Sequence, residues 1–368
     1  MSLKNDSLQP SWGQASLLYL NSQIDDISRY SHLISELVLE ITQFCPQNCI
    51  FCSSNAGPRR KLNLDLEKIY QIISDAKALH IQSIHLSGGE PLSHPDIIPI
   101  LYQLFKYNFE IIVYSCGLGY NSKGISVIPE DLIKIMSKIK NCRIRFNFQS
   151  SIEKNFENIT RTRGSYKIAL SSLKMFKKYQ IPIEAHIVPT LLNLTELEKT
   201  INFLLKEGVE KVKILRFIPQ GRGLKNRELV DPDFNPEMYK QVLQSIKNHF
   251  SPNQVEIGSA FSCLSSSSDF CTAGIKKLAI TPMNELFPCV AFKTLHGTPL
   301  NEKSLFNTIK NNNFLDNLRK ISATKCEDCG RKNDCDEICP RQIMLCKNFL
   351  PNFKNPILTI SKTIRNNN

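Results

Sequence analysis

Between Glu36 and Phe217 the chain alternates two hydrophobic periods, and this constrains its fold more than any other feature. Blocks whose branched and apolar residues read as strands (36–43, 81–86, 109–115, 143–149, 182–188 and 211–217) take turns with blocks at helical spacing (64–79, 96–107, 130–139, 166–179 and 194–207). The pattern predicts six strands alternating with five helices. Units of this length imply right-handed crossovers and a parallel sheet, an α/β fold curved into a full or partial barrel. In such a barrel the chemistry lies at the C-terminal ends of the strands. A doubly wound open sheet is the competing arrangement. Past Gly221 the alternation fades into a loop, then a helix at 237–250, and from Cys263 onward into loops, a short serine run (Ser265 to Ser268) and cysteines. The expected units are an N-terminal extension (1–35) with an amphipathic stretch, a barrel with a bridging helix (36–257), a small loop-rich, cysteine-rich unit (258–350) and a polar tail (351–368).

Composition enters through the thiols. The 368 residues hold 13 cysteines, an odd number far above what packing needs. The opening MSLKNDSLQPSWGQ has one lysine and no apolar core after it, which argues against a secretory signal and for a cytoplasmic setting. Cytosolic chains rarely keep structural disulfides, so metal or cluster ligation is the better reading. No apolar run is long enough for a bilayer. The net charge of +12 favours acidic partners, but the lysines are scattered and no basic motif occurs, so no nucleic-acid partner is expected.

Directly after the first strand comes CPQNCIFC, placing Cys45, Cys49 and Cys52 in a C-x3-C-x2-C spacing. Three thiolates can hold three irons of a [4Fe–4S] cube and leave the fourth open to a ligand. The alternative is a zinc knuckle lacking its fourth partner, although zinc motifs favour C-x2-C pairs. The second strand runs into LSGGEP, where Gly88 and Gly89 allow close approach to a ligand and the carboxylate of Glu90, before Pro91, can accept bonds from an ammonium group. Alone, that motif is a strand-to-helix turn.

Together these residues resemble the radical S-adenosylmethionine superfamily, over nearly the whole chain. The resemblance implies that the open iron chelates S-adenosylmethionine, that reductive cleavage gives a 5′-deoxyadenosyl radical, and that this radical takes hydrogen from substrate. It also implies an electron donor of flavodoxin or ferredoxin type. Phe51 matches an aromatic position near the adenine. Where relatives carry SLDG, this chain has FNFQSS, making Asn147, Gln149 and Ser150 candidate cofactor contacts. Arg161 sits where relatives place an arginine, a candidate partner of the methionine carboxylate or an ordinary surface residue. In RFIPQGRG, Arg216, Gln220 and Arg222 lie at the rim as contacts to cofactor or substrate, or as a tight loop with solvated arginines.

The last hundred residues hold Cys263, Cys271, Cys289, Cys326, Cys329, Cys335, Cys339 and Cys346. The run C-x2-C-x5-C-x3-C-x6-C resembles the SPASM extension of peptide-modifying members. That resemblance implies one auxiliary [4Fe–4S] cluster on Cys326, Cys329, Cys335 and Cys346 and another on Cys271, Cys289 and Cys339, with Cys263 as candidate fourth ligand. Asn284 replaces a glycine usual before this x4-C, and asparagine tolerates the left-handed backbone such a turn needs. A zinc ribbon is the alternative for 326–346. Cys116 ends the third strand, as a hydrogen donor, a substrate contact or a small buried hydrophobe; Cys142 carries no expectation.

The function implied is maturation of a ribosomally made precursor peptide. Only 44 residues precede Cys45, so leader recognition is expected to need a separate partner protein. The alternatives are a radical enzyme of small-molecule or cofactor biosynthesis and a non-catalytic zinc or RNA-binding protein.

Overall fold

The computed structural model describes residues 34–258, 272–293, 297–300 and 304–316. Its core is a run of parallel strands: β1 (Glu36–Thr42), β2 (Ser83–Gly88), β3 (Glu110–Ser115), β4 (Cys142–Asn147), β5 (Ile183–Ile187) and β6 (Lys211–Ile214). The crossover helices are α1 (Leu66–Ala78), α2 (Ile97–Lys106), α3 (Glu130–Ser137), α4 (Glu153–Thr160), α5 (Ser165–Lys178) and α6 (Leu197–Lys206). The expected α/β partial barrel is therefore present. α4 is the one crossover helix the periodicity misses. Its sequence, EKNFENIT, is short and polar, and it closes its turn on just Phe156 and Ile159 as fully buried apolar residues.

The sheet is larger than six strands. After α7 (Gly221–Lys225), α8 (Arg227–Val230) and α9 (Pro236–His249), β7 (Val255–Ile257) adds in parallel to β6. At the other edge β8 (Lys277–Ile280) pairs in parallel with β1, and β9 (Glu285–Phe287) and β10 (Thr298–Pro299) follow antiparallel. The order is β10-β9-β8-β1-β2-β3-β4-β5-β6-β7. Among the described residues the outer strands do not pair with each other, so the sheet stays open. β8, β9 and β10, which fall within the stretch expected as the cysteine-rich unit, join the same sheet. Four-residue strands so close to turns carry too little period to be recognised from sequence.

Local chemistry explains the elements. Asp65 caps α1, its carboxylate accepting the Glu67 and Lys68 N–H groups, and Ile69, Ile72, Ile73 and Ala76 form the buried stripe. Along β1, Leu37, Leu39 and Ile41 pack under the helices, while Glu36, Val38 and Glu40 face the concave side. That concave face carries a belt of charged and polar groups that crosses the strands. Lys277 Nζ meets Glu36 at 2.8 Å, Arg145 reaches the Tyr114 hydroxyl at 2.6 Å and Glu184 at 3.1 Å, and Glu184 accepts from His186 at 2.6 Å. Glu256 pairs with Lys211 and Lys213 beyond them. The belt fixes strand register by charge as well as by hydrophobic pattern. The helix α10 (Leu305–Lys310) returns to the barrel, its first N–H donating to Asp75 of α1 at 2.7 Å. No described helix is long and apolar enough to cross a membrane.

Candidate active site

The three-thiol loop is built by the backbone. At the end of β1, Thr42 Oγ1 accepts the Phe44 N–H at 2.9 Å and donates to Asn63 at 2.6 Å. The N–H groups of Gln43, Cys45 and Gly57 bond to Leu62, Gly57 and Gln43, so residues 43–63 close on themselves at the mouth of the barrel. Asn48 and Ile50 donate to the carbonyls of Thr160 and Ile159 at the end of α4. Cys45, Cys49 and Cys52 are half-buried free thiols. Burial pushes Cys49 well up, and the facing thiols of Cys45 and Cys52 push it further, while Arg222 opposes both. Burial also raises Cys52, against Arg222. The trio therefore shares one small space. Among the described residues no three His, Cys, Asp or Glu converge as ligands of a single metal ion do. Three thiols of one loop with the Arg222 guanidinium bonded to that loop, and no fourth thiol in it, are a donor set that suits a cube with one open corner.

The glycine pair serves this loop from below. A Cβ on Gly88 would lie 2.4 Å from the Thr42 carbonyl oxygen, and one on Gly89 1.9 Å from that of Phe44. The Gly89 and Glu90 N–H groups donate to those same carbonyls at 2.7 and 2.8 Å. The sequence suggests glycines that admit a ligand; the structure shows that they admit the root of the thiol loop. Glu90 is fully buried, and its carboxylate accepts from Leu92 N–H, Ser115 Oγ and Cys116 N–H. Burial raises it to about 7, against these bonds and the Cys116 thiol. Pro91 opens the following 3-10 turn. Cys116 is buried against Glu90 and Cys45, and burial holds its thiol well above the ordinary range. Cys142 is buried at the start of β4, pushed up to about 12 by burial alone.

Other sequence candidates divide. Phe51 packs on Ile50, Phe217 and Val230 beside Val188. Asn147 ends β4 on the face that carries Arg145. Arg161 is exposed and left-handed, one residue past the carbonyls that anchor the loop. Gln149 and Ser150 are both buried and bonded within the chain, Gln149 accepting from Val188 N–H at 2.9 Å and Ser150 bonded to Glu196 and to Ile152 N–H. Both lie just past the end of β4, and their partners come from the end of β5 and the crossover after it, which the sequence alone does not fix. Gln220 donates to the Val290 carbonyl at 3.2 Å. Arg222 is no solvated arginine: its Nε donates to the Cys49 carbonyl at 2.9 Å.

Cys289 follows β9 and packs with Val290 on Val38, Ala279 and Phe287. The turn before β9 survives as expected, with Asn284 at φ +59°. Cys263, Cys271, Cys326, Cys329, Cys335, Cys339 and Cys346 lie outside the described residues. Sequence reasoning misses Glu40, Ser54 and Lys293. Lys293 donates to Glu40 at 2.6 Å and to Ser54 Oγ at 2.7 Å, and Ser54 donates to Glu40 at 2.8 Å. Glu40 is the legible one of the three: a carboxylate inside a buried strand needs a partner.

Comparison with known proteins bears on this site. A model of the Radical SAM superfamily matches residues 39–204. The PqqA peptide cyclase of Gluconobacter oxydans is 24% identical over 197 residues, 53% of this chain and 53% of that protein, so the match spans about half of each. The GTP 3′,8-cyclase of Clostridium botulinum is 24% identical over 314 residues, 81% of this chain and 91% of its own. Among solved structures, SuiB of Streptococcus suis bound to S-adenosylmethionine superposes with a TM-score of 0.67 at 16% identity, covering 95% of this chain and 82% of that one. Native anSMEcpe with bound AdoMet and the Cp18Cys peptide gives 0.61 at 14% identity, over 83% and 89%. These two likenesses establish the fold.

Proposed function

The chain is a radical SAM superfamily enzyme whose domain of that name covers residues 39–204, and on that premise we propose that it modifies a ribosomally made peptide. Cys45, Cys49 and Cys52 would hold a [4Fe–4S] cluster, and Gly88 to Pro91, Phe51, Asn147 and Arg161 would contact S-adenosylmethionine. When bound, these groups supply a 5′-deoxyadenosyl radical that abstracts hydrogen from the substrate. The chain's own residues do the positioning. The loop anchored at Thr42 and Ile159 presents the thiols, the Gly88–Gly89 backbone sets their depth, and the apolar patch of Ile50, Phe51 and Phe217 excludes water.

The observation that carries the reading is the set of three free thiols in the loop that leaves the C-terminal end of β1, at the mouth of a parallel sheet. The peptide substrate draws support from the relative named PqqA peptide cyclase, from the structure of SuiB bound to precursor peptide SuiA, and from the placement of Cys289 beside β1. We assign Cys289, with Cys271, Cys339 and candidate Cys263, to one auxiliary cluster, and Cys326, Cys329, Cys335 and Cys346 to a second. A flavodoxin- or ferredoxin-type donor would supply electrons, a separate partner protein would bind the leader, and the setting would be cytoplasmic. A second reading, a small-molecule cyclisation, is favoured by the longer alignment with GTP 3′,8-cyclase.

The test is anaerobic reconstitution of the full chain, iron counting, and mass spectrometry with co-expressed candidate peptides or with GTP. About twelve irons are expected if all three cubes form, and about four would remove the auxiliary clusters. A mass change on a peptide supports the first reading, and turnover of GTP the second. Fully reconstituted, dithionite-treated material that yields no 5′-deoxyadenosine with either would refute both.

A further inference from the structure

We propose that Arg222 is a positioning residue that folds the three-cysteine loop before any metal arrives and holds a fixed cation beside it. The inference rests on the reading of that loop as a cluster site.

The carbonyls of residues 49–53 all turn toward one short helix, α7, and the start of α8. Arg222 Nε donates to Cys49 at 2.9 Å, and the Arg222 N–H donates to Cys52 at 3.0 Å. The Asn226 amide, one helical turn on, donates to Ile50 at 3.1 Å. The carbonyls of Phe51, Cys52 and Ser53 come so close to α7 that side chains are forbidden opposite them. A Cβ on Gly221 would stand 2.7 Å from the Cys52 oxygen and 2.8 Å from that of Ser53, and one on Gly223 2.9 Å from that of Phe51. Arg222 Nη1 also reaches Asn55 Oδ1 at 3.4 Å, where the loop turns through a left-handed residue, Asn55 at φ +52°.

A loop of this length with its carbonyls in water samples many conformations, and ordering it costs free energy. Here the carbonyls of Cys49, Ile50 and Cys52 accept from groups 170 or so positions away in sequence, so the thiols are presented in one arrangement. Arginine suits the task because its planar fork keeps one geometry across Nε and Nη1, whereas a lysine offers a point charge. Its charge has a second consequence. The potential of an iron–sulfur centre depends on the net charge around it, so a guanidinium fixed against two ligand residues makes reduction easier.

The test uses the full chain with Arg222→Lys and Arg222→Gln and two readouts. The first is amide hydrogen exchange of the metal-free protein over 45–57. Exchange there is expected to rise about tenfold or more in both variants, with the strands of the barrel unchanged. The second is an EPR-monitored redox titration after reconstitution. At fixed poise, Arg222→Gln is expected to lower the reduced-to-oxidised ratio about tenfold, or about 59 mV for one electron. Arg222→Lys, which keeps the charge, is expected to stay within about threefold of wild type. If Arg222→Gln exchanges like wild type over 45–57, or titrates like wild type, the proposal is overturned. Should Arg222→Gln lose the fold, seen as faster exchange throughout, the exchange of Arg222→Lys decides alone. A wild-type chain that takes up no iron would sink the cluster reading instead, and the exchange arm would still judge Arg222.

Discussion

Replacing Gly89 by alanine puts a carbon atom 1.9 Å from the Phe44 carbonyl oxygen and 2.5 Å from its carbonyl carbon. Real Cβ contacts stay beyond 3.0 Å, so the two backbones must part by roughly 1 Å. The Gly89 to Thr42 and Glu90 to Phe44 hydrogen bonds, 2.7 and 2.8 Å now, would stretch beyond useful length. Buried amides that lose their partners cost about 1–3 kcal/mol each, which gives about 2–4 kcal/mol for the pair after partial relaxation. Phe44 precedes Cys45, so the displacement reaches the first thiol, and a 1 Å misplacement can cost about a hundredfold in rate. Gly164→Ala is the control. Gly164 is at positive φ, +76°, but its Cβ would meet no atom within 4 Å, so only the left-handed penalty of about 1–2 kcal/mol applies there. Urea unfolding of the metal-free chain, iron retained after reconstitution, and the rate of 5′-deoxyadenosine formation measure the three effects. Gly89→Ala should be the less stable variant, hold less iron and turn over about a hundredfold more slowly, whereas Gly164→Ala should keep wild-type iron. A Gly89→Ala protein as stable and as iron-replete as the control would refute the close-approach argument.

Lys293→Gln strands the Glu40 carboxylate, 5% exposed, without its cation and should cost about 3–5 kcal/mol, most of it recovered in the double variant Glu40→Met, Lys293→Met. A double-mutant cycle in urea with less than about 1 kcal/mol of coupling would dismiss the clamp. Burial holds His186 down at about 4, against the pull of Glu184, so its protonation opposes the fold. Because this value is depressed below the ordinary one near 6.5, stability should fall by about 3 kcal/mol as pH drops from 6.5 to 4, and His186→Gln should flatten that limb. Parallel unfolding profiles for the two proteins would contradict it. Phe148→Ala empties the centre of an aromatic group in which Phe156 lies 4.8 Å and Tyr166 5.7 Å away, and should cost about 3–5 kcal/mol in urea without altering iron content. A loss under about 1 kcal/mol would mean the cluster collapses to fill the space.

What the sequence determined by itself is the part written in short-range spacing. Period two against period 3.6 is a local signal, and it orders β1 to β6 and most of their helices within a few residues. The thiol spacing, the glycine pair and the left-handed Asn284 belong to the same class, since each is a demand on a few neighbouring residues. Tertiary structure decided the rest. Which groups Gln149 and Ser150 meet past the end of β4 depends on the neighbouring strand and its crossover, whose Val188 and Glu196 they bond. Arg222 and Cys49 meet across 173 positions, Lys293 and Glu40 across 253, and β8 joins β1 across more than 230. Contacts at that separation are fixed by the strand order of the sheet, which sets β8 beside β1 and brings α7 against the loop that follows β1. A polar side chain in sequence does not declare which distant carbonyl or carboxylate it will meet, because that choice is made by the packing of everything between them.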